Sequence, residues 1–338
     1  MSLQPDPQTD ISIIVPVYNR RDEVRDLLES LSQQTVGGFE IVIVEDGSTD
    51  PCRDICEGYK GRLNLKYFHK DSEGRSIARN YGIERADGDF FVFVDSDCIL
   101  PPEYMATLRR ELHDNPTDCF GGPDAAHSSF SDTQKAINYS MTAFLTTGGI
   151  RGGKVQLEKF VPRTFNMGFS RSVYDKVGGF REMFSEDIDM STRIRLAGFG
   201  IKLYRDVRVY HKRRVDMRKF WRQVHVFGMS RITLQLIYPG SMKAVHWLPA
   251  LFVIFATAMV IGSFFCPWSL LPLAVYLIAL WISAICSTKS LKIGSLAVVA
   301  AMTQLWGYGT GFIRAYVWKI LLRHGRDEQQ EIEMRRGK

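Results

Sequence analysis

The sequence predicts an α/β domain with a mostly parallel sheet and flanking helices, followed by transmembrane helices towards its carboxyl end. Two observations support this prediction. Over the first two hundred residues, short apolar runs alternate with apolar residues at helical spacing. Farther along, the 45 residues from 244 to 288 contain no Asp, Glu, Lys or Arg. A chain of 338 residues is long enough for two such parts.

Four apolar runs are typical of strands inside a sheet, and the first, ISIIVPVY, covers 11–18. A helical stretch near 75–86 precedes the last of them. Because strands and helices alternate, we expect mostly parallel neighbours, which bind ligands beyond the carboxyl ends of their strands. The other predicted strands are 40–46, 63–69 and 89–95. One helix face after the first strand is predicted from the spacing of Val24, Leu27, Leu28 and Leu31.

Polar residues end three of these strands: Tyr18 the first, Asp46 the second, and Asp95 with Asp97 the fourth. Side chains two residues apart share one side of a strand, so Asp95 and Asp97 repel each other unless a cation lies between them. Mg²⁺ and Mn²⁺ typically bind one or two carboxylates together with substrate phosphates. The acids therefore predict a divalent cation site. The alternative is a turn at Asp46 and a helix cap at Asp97.

A second acidic group begins a predicted helix within the segment 165–200. Ser185 is placed to cap this helix, and its first turn holds Glu186, Asp187 and Asp189. Negative charge is favourable there because the amino end of a helix dipole is positive. Two hypotheses follow: the acids serve only the helix end, or one of them takes part in chemistry.

The uncharged segment predicts two membrane helices, about 247–266 and 269–287, separated by Pro267. As helix the segment would extend roughly 67 Å, about twice the hydrocarbon core of a bilayer. A buried hairpin in a soluble core is the alternative. The third apolar segment, 293–313, and the apolar stripe along 312–322 fit an interfacial helix as well as the end of a span.

Basic residues are concentrated in 202–222, which holds nine Lys or Arg within a chain of net charge +6. Such a patch suits anionic lipid or phosphorylated ligands. We expect no nucleic-acid partner because no aromatic stacking platform accompanies the patch. The six cysteines lack metal-site spacing, and the amino-terminal residues lack an apolar signal segment, so we expect reduced thiols facing the cytosol and no secretory signal.

Composition divides the chain into five predicted regions. The glycine-containing segments 120–130 and 146–156 are expected to shape ligand pockets, the second as a mobile lid or a passive loop. The five regions are a polar tail (1–8), the α/β domain (9–225), a juxtamembrane segment (226–245), a membrane domain (246–322) and a second polar tail (323–338).

Six motifs occur together in the first part of the chain: ISIIVPVYNR, VEDGSTD, SIARNYGI, FVDSD, NMGFSRSVYDKVGGF and SEDIDMSTRIRLAGF. In this order and spacing they resemble glycosyltransferase family 2, the inverting sugar transferases with the Rossmann-like GT-A fold, over about 9–225. The resemblance implies a nucleotide-sugar donor, with a UDP-sugar favoured, and Mn²⁺ or Mg²⁺ as cofactor. It further implies transfer to a hydroxyl of a lipid-linked or polysaccharide acceptor in polysaccharide biosynthesis.

The resemblance also assigns roles to individual residues. Catalytic positions are implied at Asp187, which matches the catalytic base, and at Glu186 beside it, and Gln223 and Arg231 match positions near the acceptor or diphosphate. Metal ligands are implied at Asp95 and Asp97, which form the DxD motif, and at His211. Donor-binding positions are implied at Pro16, Tyr18, Asp46, Arg75, Arg79, Asp95 and Ser96.

The sequence departs from the family pattern at Glu45, where an Asp is usual, and the extra methylene is expected near the nucleotide. The Gln-x-x-Arg-Trp motif of processive members is absent, so we expect one sugar per encounter. We expect a multi-pass protein of the inner or plasma membrane whose catalytic domain is cytoplasmic. A nucleotidyltransferase is the first alternative, although the loop VYNRRDEV lacks the glycines that cradle a triphosphate. An inactive membrane scaffold is the second, although both acidic motifs are intact.

Overall fold

The computed structural model describes four stretches of the chain: residues 10–125, 130–147, 160–211 and 216–322. Parts of three segments singled out above lie outside these stretches, namely 126–129, 148–159 and 212–215. The chain divides into two compact units. The first contains Met1–His127 and Phe160–Lys212, and the second contains Ser128–Lys159 and Arg213–Lys338.

Ten strands are present in the described residues, and the sequence predicted the first four within a few residues at each end. The interior strands consist largely of β-branched and aromatic residues, which pack well on a pleated surface. In chain order the strands are β1 (Ile11–Val17), β2 (Phe39–Asp46), β3 (Leu65–Lys70), β4 (Phe90–Phe93), β5 (Cys98–Ile99), β6 (Cys119–Gly121), β7 (Asp124–Ala125), β8 (Met167–Ser170), β9 (Ile201–Leu203) and β10 (Val209–His211).

Twelve α-helices are present in the described residues. A 3₁₀ turn (Pro267–Leu270) precedes the eleventh, and a π-helical segment (Tyr316–Leu321) continues the twelfth. In chain order the helices are α1 (Arg21–Ser32), α2 (Arg53–Tyr59), α3 (Arg75–Ile83), α4 (Tyr104–Asp114), α5 (Asp132–Thr142), α6 (Phe144–Thr147), α7 (Arg171–Val177), α8 (Glu186–Leu196), α9 (Met217–Ile237), α10 (Ala244–Gly262), α11 (Leu271–Thr288) and α12 (Leu291–Ala315).

The first unit is built on a seven-stranded mixed sheet in the order β3-β2-β1-β4-β8-β6-β9. The strands from β3 to β4 are parallel, as predicted, whereas β8 is antiparallel to both of its neighbours. A small second sheet has the order β5-β10-β7. Every residue of β2 is buried in the sheet interior, because parallel strands in such folds are covered on both faces. Helix α1 buries Val24, Leu27, Leu28 and Leu31, which confirms the predicted face.

The second unit contains the apolar helices. Three helical segments are long and apolar enough to cross a membrane: Ala244–Gly262, Pro267–Thr288 and Leu291–Leu321. The third joins the predicted apolar segment and the predicted stripe without a break. Helix α9 runs continuously across residue 225, where the sequence suggested a domain boundary. The five-region division stays a prediction.

Candidate active site

The position of α3 begins the site, because this helix packs against β1 and β2 and carries two arginines. Gly82 permits the close approach, since a Cβ at this residue would lie 2.6 Å from Ile14 Cγ2. One turn earlier, Arg79 is buried and only 1% exposed. Its guanidinium donates from Nη2 to Asp95 Oδ1 at 2.8 Å, just beyond the end of β4.

The same guanidinium also reaches α8, where Arg79 Nη1 donates to Glu186 Oε1 at 3.0 Å. The other oxygen of Glu186 accepts from Arg75 Nη2 at 2.8 Å. Glu186 is only 3% exposed, and an isolated buried charge of this kind would be costly without such partners. One ion-pair network thus joins the two arginines predicted to bind the donor to Asp95, a predicted metal ligand, and to Glu186, the neighbour of the predicted base. Arg79 is held between two carboxylates, and its predicted donor contact stays a prediction.

The candidate base, Asp187, lies in the first turn of α8. Its Oδ2 accepts from Arg163 Nη1 at 3.0 Å, and its Oδ1 accepts from the Ile188 N–H at 2.8 Å. Burial alone would raise the pKa of Asp187, but the charge and hydrogen bond of Arg163, the Ile188 N–H and the charge of Arg75 together outweigh burial and hold that pKa below its usual value. The carboxylate is therefore ionised at neutral pH and able to accept a proton. Arg163 belongs to none of the sequence motifs, and no spacing signal connects it with Asp187.

Ser185 occupies the N-cap position of α8 as predicted, but its side chain makes no capping hydrogen bond. Its backbone is left-handed, with φ 64° and ψ 38°, whereas a capping serine has extended backbone. The prediction of a Ser185 cap is therefore wrong. Asp189 does not face solvent at the helix end either. It is fully buried and pairs with Arg181 and Arg193.

The candidate metal ligands are brought together by the small sheet, in which His211 of β10 lies opposite Cys98 of β5. His211 Nε2 lies 3.1 Å from Asp97 Oδ1, and ligand atoms of Asp97, Cys98 and His211 lie within 4.8 Å of one another. A carboxylate and an imidazole suit Mn²⁺ or a similar divalent ion. The Cys98 thiol suits it less, because burial raises the pKa of this thiol well above its usual value and keeps it protonated.

Asp95 is outside this group, since its Oδ1 is paired with Arg79. The sequence predicted one cation between Asp95 and Asp97. In the structure an arginine neutralises the first carboxylate and a histidine contacts the second. Ser96, between them, is buried. Joint binding of one metal by Asp95 and Asp97 stays a prediction.

The end of β2 is fixed by Asp46, whose oxygens accept from the N–H groups of Glu73 at 3.0 Å and Gly74 at 2.8 Å. Lys70 Nζ lies 3.0 Å from the same carboxylate. Asp46 thereby stabilises the turn that precedes α3. At the neighbouring end of β1, Tyr18 is 54% exposed, as a base-stacking platform requires. Pro16, within β1, is half-buried.

Glu45 lies on the other side of the strand from Asp46, because adjacent side chains in a strand alternate. Its Oε2 accepts from the Cys52 N–H at 2.7 Å, from the Cys52 thiol at 3.0 Å and from the Tyr67 hydroxyl at 3.0 Å. Glu45 therefore stabilises the start of α2, and the expected extra methylene near the nucleotide stays a prediction. Of the remaining predicted positions, Gln223 and Arg231 lie on α9 in the second unit, and Arg231 donates to His246.

Comparison with known proteins identifies the first unit. Residues 12–178 match the family model of glycosyl transferase family 2. Glycosyltransferase GlyA of Streptococcus pneumoniae is 29% identical over 237 residues, covering 70% of this chain and 29% of that protein. The uncharacterized glycosyltransferase YibD of Escherichia coli is 38% identical over 107 residues, covering 31% of each protein.

The structure of mannosyltransferase PcManGT from Pyrobaculum calidifontis, in complex with GDP-Man and Mn²⁺, superimposes with a TM-score of 0.53. The superposition covers 89% of both chains at 19% identity and therefore shows a shared fold. The first unit thus has the GT-A fold of nucleotide-sugar transferases. Residues 12–178 belong to glycosyltransferase family 2. Alignments with eight curated relatives cover between 15% and 37% of those proteins' own lengths.

Proposed function

We propose that the protein is an inverting, divalent-metal-dependent glycosyltransferase that moves one sugar per encounter from a nucleotide-sugar donor to an acceptor hydroxyl. The observation that carries the proposal is the ion-pair network from Asp95 through Arg79 to Glu186. This network connects the acidic motif after β4 to the turn of α8 that presents Asp187. Family membership of residues 12–178 supports the reaction class.

In this mechanism Asp97 and His211 would hold a divalent ion, and such an ion would supply positive charge to stabilise the leaving diphosphate. Asp187 accepts the proton of the attacking acceptor hydroxyl, for which its ionised carboxylate is suited. Arg163 keeps that carboxylate charged and fixes its orientation. A single displacement of the leaving group by the hydroxyl inverts the anomeric carbon, so one base is sufficient.

We propose the neighbourhood of Tyr18 and Asp46 as the edge of the site that binds the nucleotide base of the donor. A UDP-sugar is favoured by the family resemblance, whereas the structural neighbour PcManGT was solved with GDP-Man. We propose a lipid-linked or polysaccharide acceptor at the cytoplasmic face of the membrane. The three candidate spans and the basic residues before them support this location.

The test uses the full chain in detergent with UDP-, GDP- and dTDP-sugars, each with Mn²⁺ and with excess chelator. We expect Mn²⁺-dependent release of a nucleoside diphosphate. Release of pyrophosphate from a nucleoside triphosphate supplied together with a sugar 1-phosphate would instead indicate a nucleotidyltransferase, and undiminished turnover of the nucleotide sugar in chelator would contradict the proposed metal. Asp187→Asn is expected to abolish turnover while nucleotide binding persists, and Asp175→Asn, an exposed carboxylate on α7, is the control.

A further inference from the structure

The contacts of α12 with α10 lie near the beginning of α10. The rings of Trp247 and Phe312 have centroids 4.9 Å apart. A Cβ at Gly309 would lie 2.4 Å from the carbonyl oxygen of Pro249, so the two backbones touch there. Pro249 is about 8 Å along α10 from its first residue, given a rise of about 1.5 Å per residue.

The contacts of α12 with α11 lie near the end of α11. A Cβ at Gly294 would lie 2.6 Å from Ile285 Cγ1, and Trp281 Nε1 donates to Ser295 Oγ at 3.1 Å. Ile285 is about 5 Å from the last residue of α11. Because a tight turn joins α10 and α11, the beginning of the first helix and the end of the second form the same end of a hairpin.

These contacts give the direction of α12. From Gly294 to Gly309 the helix advances about 22 Å. Over that length its contacts on the hairpin move from about 5 Å from the hairpin end, at Ile285, to about 8–14 Å, at Pro249 and Val253, a change of about 3–9 Å. A third span running back along α11 would instead place Gly309 opposite the 3₁₀ turn. Helix α12 therefore crosses one end of the hairpin and does not run along it.

Burial agrees with this arrangement. In the apolar window of α12, 44% of residues are buried, compared with 22% for α10 and 11% for the α11 segment. No residue from Ala300 to Phe312 is exposed, because α5, α9 and the hairpin end cover that part of α12. At the far end of the hairpin, Phe265 and Trp268 are 88% and 78% exposed. The unpartnered apolar surface thus belongs to the hairpin.

Five cations of the second unit adjoin the end of the hairpin that α12 crosses. Between residues 217 and 322 the chain contains no Asp or Glu. Cations precede α10, flank the turn between α11 and α12, and lie near the end of α12. This end is therefore complementary to the anionic headgroups of a bilayer. The five cations at these three places are Lys243, Lys289, Lys292, Arg314 and Lys319, of which Lys292 also pairs with Asp132 of α5 at 2.7 Å.

We propose that α12 lies flat at the level of the lipid phosphates and does not cross the membrane, so that only the α10–α11 hairpin is inserted. Residues 289 and 322, which bracket α12, then face the same side as the beginning of α10. The inference rests on the proposed membrane attachment and is independent of the transfer reaction.

The experiment labels single cysteines in the full chain with a membrane-impermeant maleimide. The exposed Cys266 and Cys286 are changed to Ser, and the four buried cysteines are kept. Lys289→Cys and Leu322→Cys are then introduced one at a time, and a variant that retains only Cys266 among the exposed cysteines reports the hairpin tip. We expect residues 289 and 322 to be labelled in inverted vesicles and protected in right-side-out vesicles.

Labelling of residues 289 and 322 from opposite sides would overturn the proposal, because it requires a full crossing. Gln330→Cys repeats the second measurement in the polar tail, so the result does not depend on the reactivity of residue 322 alone. Detergent-solubilised protein gives the full labelling of every variant. The labelling experiment does not measure sugar transfer, so a labelling pattern that contradicts the topology says nothing against the proposed reaction. Conversely, a protein that transfers no sugar but shows the expected labelling would still support the topology.

Discussion

Replacing Arg79 by Met tests the buried network at the centre of the site. The substitution keeps most of the side-chain volume and removes the charge that lies between Asp95 and Glu186. Glu186 then stays buried with only Arg75 as partner, and Arg75 is itself 57% exposed. Breaking a buried ion pair by removing one partner typically costs about 3–5 kcal/mol. For a unit of this size the melting temperature should therefore fall by about 6–20 °C.

Arg75→Met is the matched control, since this arginine pairs with the same Glu186 from a solvent-exposed position. Exposed ion pairs contribute about 0–1 kcal/mol, so we expect a change of melting temperature below about 4 °C. Adding Glu186→Gln to Arg79→Met should restore part of the loss, because no unpaired buried carboxylate remains. The assay is thermal unfolding of the full chain in detergent, followed by differential scanning calorimetry, because all six tryptophans lie in the second unit. Equal shifts for Arg79→Met and Arg75→Met would refute the reasoning.

Three further changes test the chemistry. Arg163→Met removes a charge that lowers the pKa of Asp187. Because the base acts when it is ionised, above its pKa, the acidic limb of the pH profile of kcat/KM should move to higher pH. An acidic limb that does not move would exclude Asp187 as that base. His211→Gln should weaken Mn²⁺ at least about tenfold in a titration of Mn²⁺-dependent nucleotide binding, and unchanged affinity would remove His211 from the ligand set. Tyr18→Ala should weaken UDP binding about 5- to 150-fold by calorimetry, as loss of one base stack does, and an equal affinity would place the base elsewhere.

The parallel half of the fold could be predicted because its strands are continuous apolar runs separated by clear helical stripes. The other half could not, because β8 has only four residues, Met167–Ser170, with a glycine among them. A four-residue run carries too little periodicity to reveal that it enters the sheet antiparallel between β4 and β6.

The position of the candidate site was predictable where a motif is contiguous, as at Asp95, Asp97 and Asp187, whose roles stay predictions. It was less so where distant residues meet, and Arg163 illustrates this, because its contact with Asp187 depends on the fold alone. The burial of Arg79 had a local signal, since it shares a helix stripe with apolar and small residues of α3. An arginine on such a stripe is buried with the stripe and needs carboxylates as partners.

The hydrogen bonds of Asp46 to the turn before α3 link the proposed base-binding edge to the proposed catalytic residues on α8. This aspartate accepts hydrogen bonds from the amides of Glu73 and Gly74. The next residue, Arg75, starts α3, and both arginines of this helix form ion pairs with Glu186. Helix α3 thus connects Asp46 with Glu186 over nine residues. A ligand that displaced Asp46 would also displace the two arginines, and the candidate base Asp187, next to Glu186 on α8, would move with them.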